Sequence, residues 1–527
     1  MPVLSPDTVL ALAVPRDGHH VVLLLASLLL GGCDLFNDDL ERRLQADGGS
    51  GVTVAAECRT HADCAGRDGG AFACVQPRGE CVALTSPDCT TITGDLSSPQ
   101  AIVLGSLFST SGPQGATNLP RQQSAMLAIE ALNSFGGVPG TGSISRPLVL
   151  VSCDEAASLD RAAAHLIDEL KVPAIVGPNV SQDVIDVTNG YSAAGGTVLI
   201  SPTAVASSIA DLRDNGLTWI MVPSDEQRAP LMKEQIGELE KQLRTSHASQ
   251  PVTLSIIYRN DALGNGTRVA LNSLTLNGKP LADNAVPNVD TVRIEPYEAS
   301  DPEQSAIVAR QIEYAPSIIV LAGLSEAITQ IMLPLEQGWG TSPRPYYVLI
   351  DSLKVPEVLM AATTNDDLRK RIRGTGIVPT SRSLPVYSAF QLDYAARWPG
   401  SPNTISGMGP SYDATYAIAY ALAATRDLPV SGASIAMGLA KLSLGGPELE
   451  LESTKILAAF SQLTMGQAVS AIGTYAPLSW DSQGAPRGGR VEVWCISPGS
   501  PSASYASSGL SMDLKSQVLD GHYTQCN

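Results

Sequence analysis

Hydroxyl and carboxylate residues at the ends of apolar runs are the chain's first candidates for chemistry. Ser181 opens a helical pattern directly after "GPNV", Ser201 and Thr203 close the run "TVLISPT", and Asp351 closes "YYVLID". A helix N-terminus offers unpaired N–H groups and a partial positive charge, which suit a carboxylate. Ser181 at such a place adds one hydroxyl donor, or simply caps its helix. Ser201 and Thr203 sit where a parallel strand ends, the edge at which open α/β sheets bind ligands. Asp351 at a strand end also suits a turn or a helix cap. No G-x-S-x-G, H-E-x-x-H or P-loop pattern occurs, and the six histidines are scattered. The chemistry expected is therefore binding, not catalysis, with no cofactor and no metal.

Cysteine is the second reactive residue type, with nine copies. The apolar run from Val21 to Leu30 is too short for a bilayer core, which takes ~20 apolar residues, but suits the centre of a secretory signal. Leu30-Gly31-Gly32-Cys33 resembles the bacterial lipobox, in which the cysteine becomes the lipidated first residue. Residues 1–32 are thus predicted to be a lipoprotein signal peptide, with Cys33 anchoring the chain outside the cytoplasm, in the periplasm or at the cell surface. Eight cysteines remain: Cys58, Cys64, Cys74, Cys81, Cys89, Cys153, Cys495 and Cys526. An even number in an exported chain predicts four disulfides, and the absence of any C-x-x-C pair argues against zinc. Residues 33–57 read as a polar tether and 58–99 as a Cys-rich stalk and linker. The four cysteines between 58 and 81 lie among glycines with almost no aliphatic residues, so they must be stapled, most simply to each other.

These residues need a frame to hold them. A chain of 527 residues exceeds what one hydrophobic core usually holds, so at least two lobes are expected. The net charge of −18, without a basic cluster, excludes nucleic acid as a partner. From residue 100, short Val/Ile/Leu runs alternate with helical patterns. "AIVLGSL" (101–107), "PLVLVSC" (147–153), "PAIVGP" and "TVLISP" form one series; "VTLSIIYRN" (252–260), "SIIVLAG" (317–323) and "YYVLIDS" (346–352) form another. Near-continuous apolar strands, each followed by a helix, indicate parallel sheets covered on both faces. A helix is expected from Pro120 to about Asn133. The fold class is α/β, with two doubly wound parallel-sheet lobes.

The ordered pieces "IVLGSLFSTSGPQG", "AMLAIEALNSFGGVPG", "AIVGPNVSQDV", "LISPTAVASS", "IIYRNDALGNG", "PSYDATYAIAYALAA" and "PLSWDSQGAPRGGRVEVWCI" resemble the type 1 periplasmic-binding-protein family, in its leucine/isoleucine/valine-type branch. The resemblance covers about four fifths of the chain. It implies three crossings between lobes, near Val222–Pro223, Gly374–Pro379 and Gly473–Pro477. Lobe 1 then takes residues 100–223 and 376–474, and lobe 2 takes 224–375 and 475–527. It also implies a ligand held in the interlobe cleft by Ser111, Ser181, Ser201, Thr203, Leu263, Ser325 and Asp351, with Asp351 facing a ligand ammonium.

Thr117 and Leu263 stand near positions where amino-acid-binding members often carry an aromatic residue, and Val205 where a threonine often helps hold a carboxylate. The ligand expected is a small polar metabolite: an amino acid, an amide, a short or aromatic acid, or a peptide fragment. Cys89 is expected to pair with Cys153 and Cys495 with Cys526. The function implied is capture of a solute for an inner-membrane permease of the ABC type. The alternative is a receptor or regulatory lipoprotein of the same fold that binds a protein or cell-wall partner.

Overall fold

The apolar runs fold into two sheets, each covered by helices on both faces. The structure, a computed structural model, describes residues 56–527 apart from 69, 247–249, 282–289, 302, 500–501 and 527. Cys33, the expected signal peptide and nearly all of the expected tether lie outside the described residues.

In the Cys-rich segment a short 3-10 turn (His61–Cys64) precedes the hairpin β1 (Phe72–Val75) and β2 (Glu80–Ala83), which is followed by β3 (Thr91–Thr93). The first lobe's strands are β4 (Ile102–Phe108), β5 (Leu148–Asp154), β6 (Ala174–Val176), β7 (Val198–Ser201) and β8 (Thr218–Ile220). Their order is β8-β7-β6-β4-β5-β3, parallel except for β3, which runs antiparallel to β5. The second sheet contains β9 (Leu254–Arg259), β10 (Val292–Tyr297), β11 (Ile318–Ala322), β12 (Tyr346–Leu349), β13 (Ile372–Val378), β14 (Arg490–Ser497), β15 (Ser504–Asp513) and β16 (Val518–Asp520). Its order is β10-β9-β11-β12-β13-β14-β15-β16, parallel through β13 and antiparallel beyond.

The helices that position the cleft are α1 (Gly115–Ser134), α2 (Ser181–Val187), α3 (Asp225–Ser246), α4 (Ala262–Ala270), α5 (Leu384–Arg397) and α6 (Met408–Ala424). α1 starts five residues before the expected Pro120, which its first turns accommodate. α6 is buried along nearly its whole length, since small residues let other helices close on it. Tyr412, Tyr416 and Tyr420, four residues apart, form one aromatic ridge on it.

The chain first changes sheet between β8 and α3, and again between β13 and α5. The third passage comes later than the expected Gly473–Pro477. The Trp480 indole donates to the Ile220 carbonyl at 2.8 Å and meets Trp219 edge to face, and Ile220 N–H donates to Gly484 O at 3.0 Å. This aromatic pair holds residues 478–486 on the edge strand β8, and the second sheet is rejoined only at Arg490.

The segment expected to be a stalk is docked on the first lobe. Ala73, Leu84 and Cys89 share a core with Val103, Leu107, Leu166 and Ile175. Arg161 makes two 2.9 Å bonds to the Asp88 carboxylate, and the His165 ring meets the Leu84 carbonyl at 3.0 Å. The disulfides are Cys58–Cys74, Cys64–Cys81, Cys89–Cys153 and Cys495–Cys526. The Cys-rich segment thus staples itself and then ties into β5. No helix among the described residues is long and apolar enough to cross a membrane.

Candidate functional site

The carboxyl ends of β4, β6 and β7 face those of β11 and β12 across a cleft. Its enclosed space is about 40 Å³, lined from the first lobe by Gln114, Thr117, Asn118, Arg121, Asn179, Val180, Ser181, Thr203, Val205 and Ser406, and from the second by Arg228, Leu263, Leu324, Ile350, Asp351 and Ser352. So small a space admits only a few heavy atoms; a larger solute requires the lobes to part. Gln114 Nε2 donates to Ser325 Oγ at 2.9 Å, and Ala262 N–H donates to Gln182 Oε1 at 3.2 Å, so both bonds span the lobes.

Two glycines shape the rim. Gly177, between β6 and α2, has φ +111°, and a Cβ there would stand 2.2 Å from the Leu107 carbonyl oxygen. Gly407, at φ +90°, lies so close that its Cβ would meet Thr203 Cγ2 at 2.3 Å and Arg121 Nε at 2.8 Å. Left-handed backbone and absent side chain are both required at these positions.

Of the residues expected at the site, the structure brings Ser181, Thr203, Leu263 and Asp351 into the lining. Ser181 does not cap α2; Val180 holds the cap position, without a side-chain bond. Instead Ser181 Oγ accepts Val205 N–H at 3.0 Å and Ala206 N–H at 3.1 Å, tying α2 to the loop after β7. Its own hydroxyl proton stays available to a ligand. Thr203 donates to the Asn179 carbonyl at 3.0 Å.

Ser325 is buried just outside the lining and accepts the Gln114 latch. Ser201 lies beneath the cleft, donating to Pro178 O at 2.5 Å and accepting from Ala204 N–H at 3.1 Å, so its hydroxyl is spent within the lobe. Ser111 is exposed and outside the lining, because its loop turns outward before α1. Thr117 and Val205, the departures noted in sequence, both line the cleft, and its described lining carries no aromatic ring.

Two arginines missed in the sequence dominate the electrostatics. Arg121, on α1, donates from Nε to Ser406 O at 2.7 Å and from Nη1 to Asn118 Oδ1 at 2.8 Å. Burial lowers its pKa to about 10, opposed by the Asp351 charge, so it remains a cation at neutral pH. Arg228, on the first turn of α3, is buried, with Nη2 3.3 Å from Asp225 Oδ1 and Nη1 3.8 Å from Asp351 Oδ2. Asp351 also accepts the Ser406 hydroxyl at 3.3 Å, so this one carboxylate stands between two guanidiniums. Behind Arg228, burial raises the Asp225 carboxyl to about 6. Arg228 is buried and Arg121 half-buried, and only tertiary packing reveals either.

Residues 101–455 match the family model described as "Periplasmic binding protein". No curated protein matches the chain closely enough to count as a relative. Among solved structures, the chain is similar to the branched-chain amino acid transporter substrate-binding protein LivJ from Streptococcus pneumoniae, in complex with isoleucine. The identity is 17%, the TM-score 0.56, and the match covers 77% of this chain and 99% of that one. The leucine-binding protein LivK from Thermotoga maritima gives 14% identity, a TM-score of 0.55 and coverage of 77% and 98%. A possible leucine/isoleucine/valine-binding protein from Rhodopirellula baltica gives 16%, 0.55, and 77% and 96%. At these identities the likeness establishes the fold.

Proposed function

The chain belongs to the periplasmic binding protein family, which is a family of binding proteins and not of enzymes, and from that premise we propose that it captures a small polar metabolite between its lobes for import by an ABC-type permease. The observation that carries this reading is the cleft itself, a small space at the carboxyl ends of two parallel sheets, walled by both lobes. The family's place is outside the cytoplasm, and four disulfides suit an oxidising compartment. We further propose that Cys33 carries the lipid that keeps the protein at the membrane. Amino acids, amides and short acids are the solute classes to try first, since polar groups make up most of the lining.

Thermal unfolding of the purified chain against such a panel tests the proposal. A solute at a hundred times its Kd adds about 2.7 kcal/mol, which moves Tm by a few degrees at this size. Ser181→Ala is expected to weaken that shift. It also lowers the stability of the unliganded protein by about 1–3 kcal/mol, because Val205 and Ala206 N–H lose their acceptor. A folded protein that answers to no solute in the panel would point instead to a receptor for a protein or cell-wall partner.

A further inference from the structure

One imidazole links the Cys-rich segment to the first lobe. His61 stands in the segment's 3-10 turn, and both of its ring nitrogens are engaged. The Cys74 backbone N–H lies 3.1 Å from Nδ1, and the Ala101 carbonyl oxygen lies 3.1 Å from Nε2. A backbone N–H can only donate and a carbonyl can only accept, so Nδ1 carries the lone pair and Nε2 the proton. Cys74 belongs to β1, and Ala101 directly precedes β4. The neutral ring therefore bridges hairpin and lobe. A second proton could go only to Nδ1, where it would face the Cys74 N–H, donor against donor.

The surroundings give that second charge no support. Between hairpin and lobe runs a gap of about 440 Å³, with His61, Cys74 and Gln76 on one side and Ala101, Arg146 and Lys171 on the other. Among the described residues no carboxylate lines it, so an imidazolium would meet two like charges. The neighbouring carboxylates are engaged elsewhere. Asp63 accepts the Arg59 and Thr60 N–H groups at 2.7 and 2.8 Å, Glu57 pairs with Arg67 and Glu80 with Arg78. On the lobe, Asp168 stands 3.9 Å from Lys171 Nζ, and Glu169 meets the His165 ring at 2.6 Å. Burial lowers the His61 pKa, opposed by the bond to the Ala101 carbonyl.

The segment is also thinly attached. Residues 57–83 keep a small core of their own around Cys58, Cys64 and Cys74, and contribute Ala73 and the half-buried Val82 to the core shared with the lobe. Their other tie, from Arg78 to the Glu169 carbonyl, is exposed. Leu84 and the Cys89–Cys153 bridge then fix the base. A unit held so lightly can open while the lobes stay folded.

We propose that His61 is an acid-sensitive latch, whose neutral ring docks residues 57–83 on the first lobe and whose protonation releases them while Leu84 and Cys89 stay anchored. Docking is complete above the ordinary imidazole pKa of about 6.5. It is lost as pH falls below that value, because the docked state binds the proton less tightly than the released one. With the lipid proposed at Cys33, release would carry the lobes on a longer stem in acid than at neutral pH.

The test is hydrogen–deuterium exchange of the purified chain from pH 8 to 5, corrected for the intrinsic pH dependence of exchange, with β4 and β5 as internal standard. Protection over residues 57–83 is expected to hold from pH 8 to 7 and to fall about tenfold relative to that standard by pH 5. His61→Gln supplies one acceptor and one donor but does not titrate. Its pH dependence should vanish, whether the amide keeps the joint shut or leaves it open at every pH. Constant protection in the wild type overturns the latch. So does a fall that persists unchanged in His61→Gln, which would assign the titration to another group. Equal loss in β4 and β5 overturns it as well, since the whole lobe would then be opening.

Discussion

Replacing Cys89 and Cys153 together by alanine is expected to lower the stability of the folded body by about 4 kcal/mol. The bridge closes a loop of 64 residues, and in the chain-entropy account a loop of that length restrains the unfolded state by about this much. Both cysteines are fully buried in the core that joins the Cys-rich segment to β4 and β5, so the substitution also removes packed atoms. Chemical denaturation under non-reducing conditions reads the loss. The Asp88–Arg161 bonds and the buried Leu84 stay in place, so the segment should remain docked in the variant. An unchanged midpoint would mean that these contacts alone hold the segment and that the covalent tie is redundant.

A second large effect belongs to Asp413, on α6. Its carboxylate accepts Thr474 N–H at 3.0 and 2.8 Å on its two oxygens and the Thr474 hydroxyl at 2.8 Å, pinning the turn at Thr474 to α6 within the first lobe. Burial nonetheless raises its pKa to about 7, because desolvation of the charged form outweighs these donors. An unfolded aspartate titrates near 3.9, so the folded state binds the proton more tightly. Its contribution to stability is then complete below about pH 4 and is lost as pH rises through about 7. Three pH units correspond to about 4 kcal/mol. Asp413→Asn fixes the neutral form, its oxygen still accepting the Thr474 N–H while its amide donates to the turned hydroxyl. Denaturant unfolding from pH 4 to 8 should show a shallower decline in the variant than in the wild type. Identical slopes would mean that the donors, not desolvation, set the charge of this group. Asp225 and Asp183, both raised to about 6, keep part of the slope in either protein.

Much of the frame was legible because a strand buried on both faces must be apolar nearly throughout. "AIVLGSL", "PLVLVSC", "SIIVLAG" and "YYVLIDS" each fall within a residue or a few of β4, β5, β11 and β12. β3 escaped notice because Thr91–Thr93 is short and polar, and is recruited to the sheet by the Cys89–Cys153 tie rather than by its own composition. Trp480 was not read as a first-lobe residue, since nothing local shows that its indole will find the Ile220 carbonyl. In the cleft, Ser181, Thr203 and Asp351 were legible from their places at element ends. Arg121 and Arg228 were not, because a cation on a helix reads as solvated until a second lobe closes over it.

The proposed function requires a small solute to sit between the lobes. Calorimetric titration of the best solute from the panel into the wild-type chain and into Thr117→Trp addresses it most directly. Thr117 lines a space of about 40 Å³, and an indole at that position fills it. One site per chain is expected in the wild type, and no measurable binding by a folded Thr117→Trp variant. Wild-type affinity in that variant would place the solute somewhere other than the cleft.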